Sequence, residues 1–209
     1  MISLVTRGLH RLLDIPLVFE LQQRISNNYS GVFAEFSDVL GAAGLSIVDI
    51  GCSTGACSSS IIDMQANSYV GIDIERHYVE AAARRSPKGR FIAMDARRMD
   101  FPDGMFDVAM FVGVMHHMDD RLVRDCLREV SRVLKPEGRV IVAEPVYTPG
   151  RWLSTMLLNM DRGRYIRDEP SYRALFDGFS VERQRFFRFS VHRFCSYVLT
   201  PSSLSPATC

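Results

Sequence analysis

The sequence predicts an α/β fold, a mostly parallel sheet with helices on both faces, and three observations carry that expectation. Between residues 46 and 144, short apolar β-type runs alternate with helix-like segments, the pattern of parallel strands joined by right-handed crossovers. The first run, Ser46 to Ile50, breaks at once into a turn of small residues, SIVDIGCSTG. The length of 209 residues, 47% of them hydrophobic, suffices for one full core, and no repeat or internal linker divides it.

In chain order, residues 1–40 read as two or three helices forming a cap. The opening MISLVTRGLHRLLDIPLVFEL is interrupted by Arg7, His10, Arg11 and Asp14, which excludes a signal-peptide core or a span of ~20 apolar residues. Pro16 is placed to start the second helix, and Tyr29 to Leu40 carries apolar residues at helical spacing. Strands are expected near 46–50, 69–73, 90–94, 106–112 and 138–144, and helices near 57–66, 75–85 and 121–134. After Pro145 come a helical segment, a basic turn from Asp161 to Arg167 and another helix. SVERQRFFRF and HRFCSYVLT then read as two strands joined by a short turn, and residues 200–209 as a flexible tail.

A net charge of +1 gives no broad attraction for nucleic acid or an anionic membrane. Cys52, Cys57, Cys126, Cys195 and Cys209 are odd in number and form no CxxC pair, the usage of a reduced, metal-free, cytoplasmic protein.

The turn after the first strand is the informative part. A side chain at Gly51 or Gly55 would hold the backbone off a ligand, and this turn of an open sheet is where such folds bind nucleotides. A dinucleotide fingerprint wants glycines at 51, 53 and 56, where the chain has Gly51, Ser53 and Ala56. It has instead an acid, Asp49, two residues before the first glycine. SYVGID then ends at Asp73, whose carboxylate can accept from both hydroxyls of a ribose. RFIAMDA ends with Asp95 and Ala96, FDVAMFVGVMHHMDD follows, and LREVSRVLKPEGRVIVAEP adds an amphipathic helix, a Pro-Glu-Gly turn and a fifth strand. Each acid alone reads equally as a cap or a solvated turn residue. In order, each at the end of a strand, they read as a cofactor site.

Over about residues 46–199 these motifs resemble the class I S-adenosylmethionine-dependent methyltransferases, and the paired histidines and strand motifs are also similar to quinone and sterol methyltransferases. The resemblance implies a Rossmann-like, doubly wound sheet of seven strands, mostly parallel with the last antiparallel. It implies a single domain with a core at 41–199 behind the N-terminal helical cap at 1–40, residues 146–168 covering the substrate. The implied cofactor is S-adenosyl-L-methionine, with S-adenosyl-L-homocysteine as product. Its implied contacts are Asp49, Gly51, Cys52, Ser53, Gly55, Asp73, Ile74, Asp95, Ala96 and Val112, with Asp73 on the ribose and Asp95 on the adenine amine. The departure from the family's first motif is Ser53, which adds a Cβ at the middle glycine.

Methyl transfer from a sulfonium mainly requires alignment and a dry site. A hydroxyl acceptor also needs its proton removed, and histidine is the usual base near neutral pH. His116 and His117 follow the fourth strand. His117 adjoins Met118, Asp119 and Asp120 at the start of the next helix, so it is expected to face structure and His116 to be the base. The Asn/Asp-Pro-Pro-Tyr type of motif that holds planar amines is missing at this exit. Asp119, Asp120 and Glu144 do not form the oxygen-ligand cluster of metal-dependent catechol methyltransferases. Neither nucleic acid nor a metal is therefore expected. Tyr29, Trp152 and Arg164 are the candidate substrate contacts. Apolar residues around them can wall a pocket or pack on the core, and the nearby arginines can hold a carboxylate or phosphate or stay solvated. The resulting reading is methyl transfer to a hydroxyl of a natural product, sugar or lipid, by a monomer or homodimer without membrane insertion. C-methylation of a quinone-like ring or lipid precursor, and a catalytically silent partner subunit, are the alternatives.

Overall fold

A computed structural model describes residues 30–147, 164–189 and 192–202. The elements are α1 (Ser30–Leu40), β1 (Ser46–Ile50), α2 (Ser58–Ile61), β2 (Ser68–Asp73), α3 (Arg76–Arg85), β3 (Arg90–Ala93), β4 (Phe106–Val112), α4 (Asp120–Val133), β5 (Leu134–Pro145), α5 (Glu169–Arg173), β6 (Phe179–Phe189) and β7 (His192–Pro201). Seven strands form one sheet in the order β3-β2-β1-β4-β5-β7-β6. β1 to β5 run parallel, and β7 is antiparallel to both β5 and β6.

Alternation along the strands divides the core between the two faces. Val48, Ile50, Val70 and Ile72 face one cluster with Val123, Cys126, Leu127, Val130 and Val133 of α4. Ile47, Tyr69, Val108 and Met110 face the other, with Val32, Phe36 and Val39 of α1 and Ile61 of α2. α1 is tied to the β6–β7 edge through polar contacts: Arg183 donates to Asp38 and to the Glu35 carbonyl, and Ser196 Oγ donates to Glu35 Oε1 at 2.8 Å. α4 starts where the Asp119–Asp120 pair implies, with the Asp119 side chain accepting from Leu122 N at 2.8 Å.

Three boundaries differ from expectation. The helix expected at 57–66 closes after Ile61. Ser59 and Ser60 turn their hydroxyls back to the Ala56 carbonyl, and the Asp63 carboxylate accepts from Gln65 N and Ala66 N, building a turn in place of helix. β5 begins at Leu134 rather than near 138. The Pro-Glu-Gly turn survives as an irregularity within it, because pairing with β4 jumps from Phe106↔Leu134 to Val108↔Arg139. β7 runs to Pro201, paired with Phe179, and Ser202 N donates to the Gly178 carbonyl at 2.8 Å, so the first residues of the expected tail belong to the sheet. Of the expected cap, Ser30–Leu40 is described, and most of the 146–168 insertion lies outside the described residues.

Candidate functional site

The C-terminal ends of the parallel strands lie level: Ile50 is beside Ile72 and Phe111, Asp73 beside Ala93, and Val112 beside Ala143. This is the edge of an open α/β sheet at which ligands bind. The turn after β1 is pinned to the end of β2, since Gly51 N and Cys52 N both donate to the Ile72 carbonyl at 2.8 and 3.0 Å. Gly51, Ser53 and Gly55 have φ of 71°, 49° and 68°. Ser53 therefore adopts the left-handed backbone that glycine takes freely, which a serine accepts at a cost of roughly 1 kcal/mol. Its Oγ is buried and has no hydrogen-bond partner.

Gly51 is required for a reason the sequence does not display. A Cβ there would clash with Val114 Cγ2, so the turn after β4 closes onto this glycine. A valine at 51 displaces Val114 before it meets any ligand. Lost binding in such a variant would report the turn and not the cofactor. Ser53→Gly is the cleaner probe. Relief of the left-handed serine is expected to raise the melting temperature by about 2–4 °C, and calorimetry should find cofactor affinity unchanged or slightly better.

Asp49 is buried beside this turn and accepts from Tyr69 Oη at 2.7 Å. Burial pushes its carboxyl up to about 7 against the opposing effect of the Tyr69 hydrogen bond, and the charge of Asp73 adds to the rise. An unfolded aspartate titrates near 3.9. The neutral carboxyl therefore stabilises the fold fully below about pH 4, and this contribution is lost as pH rises through about 7. Asp49→Asn should flatten that slope, and the gap between the two proteins across the window should be on the order of 4 kcal/mol. Denaturant titrations of both proteins at a series of pH values measure it.

Asp73 holds the turn to β2. Its Oδ2 accepts from Ser53 N and its Oδ1 from Glu75 N, both at 2.9 Å. Burial raises the Asp73 carboxyl above its ordinary range despite those two bonds. Ile74 beside it is 71% exposed, a large apolar side chain presented at the sheet edge. Asp95 is bound by Arg97, whose Nη2 lies 2.6 Å from Oδ2, and this pairing holds its carboxyl below the usual range. Ala96 and Val112 are partly buried against opposite faces of the core.

The two histidines are buried in the opposite sense to their sequence placement. They lie in a 3₁₀ turn, Met115–His117. His116 is 4% exposed, with Nδ1 2.7 Å from Oε2 of the fully buried Glu144, whereas His117 is exposed. Their rings are 4.1 Å apart. Glu144, at the end of β5, also accepts from Val114 N at 2.8 Å and Met115 N at 2.7 Å. A single carboxylate thus caps the turn and fixes the imidazole, so the structural role expected of His117 falls to His116.

Residues 47–138 match the family model described as a methyltransferase domain. A 2-methyl-6-phytyl-1,4-hydroquinone methyltransferase from Synechocystis is 34% identical over 104 residues, 48% of this chain and 32% of that protein. An O-methyltransferase from Pyrenophora dematioidea is 32% identical over 113 residues, 51% of this chain and 42% of its own length. Over these residues the chain is similar to the class I S-adenosylmethionine-dependent methyltransferases. A solved structure from Pyrococcus horikoshii shares the fold of this chain with a TM-score of 0.69 at 20% identity, covering 88% of this chain and 92% of that one. The chain spans well under two thirds of the length of the curated relatives just named.

The cofactor of that family is S-adenosyl-L-methionine, and the residues present here fit it. The buried, unpartnered Ser53 Oγ offers a polar contact at the turn, the Asp73 oxygens keep lone pairs for ribose hydroxyls, and exposed Ile74 offers an apolar surface for a flat ring. Asp49 is a buried acid of the kind a cationic group would ionise.

Of the expected substrate contacts, Tyr29 and Trp152 lie outside the described residues, and Arg164 is exposed. Sequence reasoning missed Glu144 as the partner of His116, Tyr69 as the partner of Asp49 and Arg97 as the partner of Asp95. Arg167 of the basic turn, whose arginines were expected to hold an anion or stay solvated, does neither and is 8% exposed. Arg167 spends all five of its N–H donors on the protein: on Asp120 from Nε and Nη2, on the Met115 and Tyr165 carbonyls from Nη1, and on the Met118 carbonyl from Nη2. It has none left for a substrate carboxylate or phosphate.

Proposed function

We propose that the protein transfers a methyl group from S-adenosyl-L-methionine to a hydroxyl oxygen of a small, partly apolar acceptor. The observation that carries this reading is the Asp73 carboxylate, drawn against the glycine turn by Ser53 N and flanked by exposed Ile74 at the sheet's C-terminal edge. Asp73 takes the ribose hydroxyls, Asp95 the adenine amine, and Asp49 with Ser53 the methionine end. When bound, the cofactor supplies a methyl group activated on a sulfonium. Holding the acceptor in line with it contributes on the order of 7–11 kcal/mol toward the barrier.

The acceptor's proton goes to a histidine of the β4 exit. His117 is the exposed ring of the pair and His116 is committed to Glu144, so we assign the base to His117 and its support to His116. The name of the Pyrenophora relative agrees with an oxygen acceptor. A second reading, C-methylation of a quinol ring, is favoured by the name of the Synechocystis relative. The left-handed Ser53 keeps the backbone conformation a glycine would take, which supports a turn able to hold the cofactor. We further read the protein as a cytoplasmic monomer or homodimer. No helix among the described residues is long and apolar enough to cross a membrane, and the four described cysteines are free.

Incubation with methyl-labelled S-adenosylmethionine and a panel of phenols, hydroquinones and aliphatic alcohols tests this, with the methyl located in the product by NMR. Label on oxygen is expected. Label on a ring carbon selects the second reading, and failure to bind S-adenosylhomocysteine in calorimetry rejects both.

A further inference from the structure

We propose that Arg167 is a positioning residue that fixes the histidine-bearing turn after β4, and that its charge serves this turn rather than a substrate. The Met115–His117 turn is held from two sides. Glu144 collects its N–H groups from the β5 side. Arg167 collects its carbonyls from the other, donating to Met115 O at 3.1 Å and Met118 O at 2.7 Å, one before and one after the histidine pair. The Arg167 guanidinium is also joined to Asp120, the first residue of α4, at 2.8 Å, and it lies 5.6 Å from the centre of the Tyr172 ring.

Its backbone is equally engaged. Arg167 pairs with Val146 in a parallel bridge, and its carbonyl accepts from Tyr147 N at 3.1 Å. Tyr165 N, two residues earlier, donates to the His116 carbonyl at 3.0 Å. Arg167 thereby links the end of β5, the exit of β4 and the start of α4 at one point. A planar fork with five donors can satisfy this set of acceptors at once; a lysine ammonium, with three donors around one nitrogen, cannot. His116 gains a fixed backbone under its ring, and with Nδ1 donating to a Glu144 oxygen it is held in one tautomer.

The functional meaning rests on the reading that this turn carries the base, but the positioning can be measured without turnover. The full chain, labelled with ¹⁵N, is compared as wild type, Arg167→Lys, Arg167→Met and Asp120→Asn, with His116→Gln and His117→Gln assigning the ring signals. Wild-type His116 is expected to show two well-separated ring-nitrogen resonances. In Arg167→Met these converge as tautomers mix, while S-adenosylhomocysteine affinity stays within about threefold; Arg167→Lys and Asp120→Asn give intermediate spectra. If Arg167→Met does not fold, Asp120→Asn carries the same comparison. Unchanged His116 resonances in a folded variant overturn the proposal. So does a loss of cofactor affinity in step with the spectral change, which marks a general structural role. Convergence of the resonances alongside full activity of His117→Ala leaves the positioning intact and rejects only the assigned base.

Discussion

Asp73→Ala is expected to weaken S-adenosylhomocysteine binding by roughly 10- to 150-fold, the equivalent of about 1.5–3 kcal/mol for removing a charged acceptor from buried donors. Two losses combine in it. The ribose hydroxyls lose their carboxylate, and Ser53 N and Glu75 N, each 2.9 Å from an Asp73 oxygen, lose their acceptor. Asp73→Asn separates them. Its amide keeps one oxygen for the turn while removing the charge, so it should fall between wild type and alanine. Calorimetry of the three proteins decides the matter: wild-type affinity in Asp73→Ala would mean the ribose is bound elsewhere, and melting curves show whether the turn alone has loosened.

What the sequence made legible follows from how local each signal is. β1 and β4 have the bounds read from the chain, Ser46–Ile50 and Phe106–Val112, because each is a largely apolar run bounded by turn residues. Of the acids expected at strand ends, Asp73 closes β2, whereas Asp49 is the penultimate residue of β1 and Asp95 lies two residues beyond β3. α2 was overextended because its apolar pattern outweighed the competition of Ser59, Ser60 and Asp63 for backbone groups.

The site's partners were hidden by distance along the chain. Glu144 reaches a turn 28 to 30 residues earlier, Asp49 meets Tyr69 across 20 residues, and Arg167 meets Asp120 across 47. No periodicity encodes such pairs. The inversion of the two histidines has a different origin. In a 3₁₀ turn, adjacent side chains point about a third of a turn apart, so which ring goes inward depends on what lies beneath. Here that is Glu144.

The histidine pair gives the other large effect, and its two members should fail differently. His117→Ala is expected to lower turnover on an authentic acceptor by roughly 10²–10⁴-fold, the usual cost of removing a positioned base. In wild type, transfer rises with pH as the imidazole loses its proton; in the variant this rise disappears, while cofactor affinity persists because the residues proposed for ribose and adenine, Asp73 at the end of β2 and Asp95 beyond β3, are separate from this turn. His116→Ala takes a donor from the buried Glu144 carboxylate, so its first effect is on stability, about 1–3 kcal/mol, with turnover falling as the turn loosens. Rates measured from about pH 5 to 9, together with melting temperatures for both variants, separate the two roles. A His117→Ala enzyme with near-normal rate and an unaltered pH profile removes the base from this turn's exposed ring and leaves alignment and desolvation as the source of catalysis.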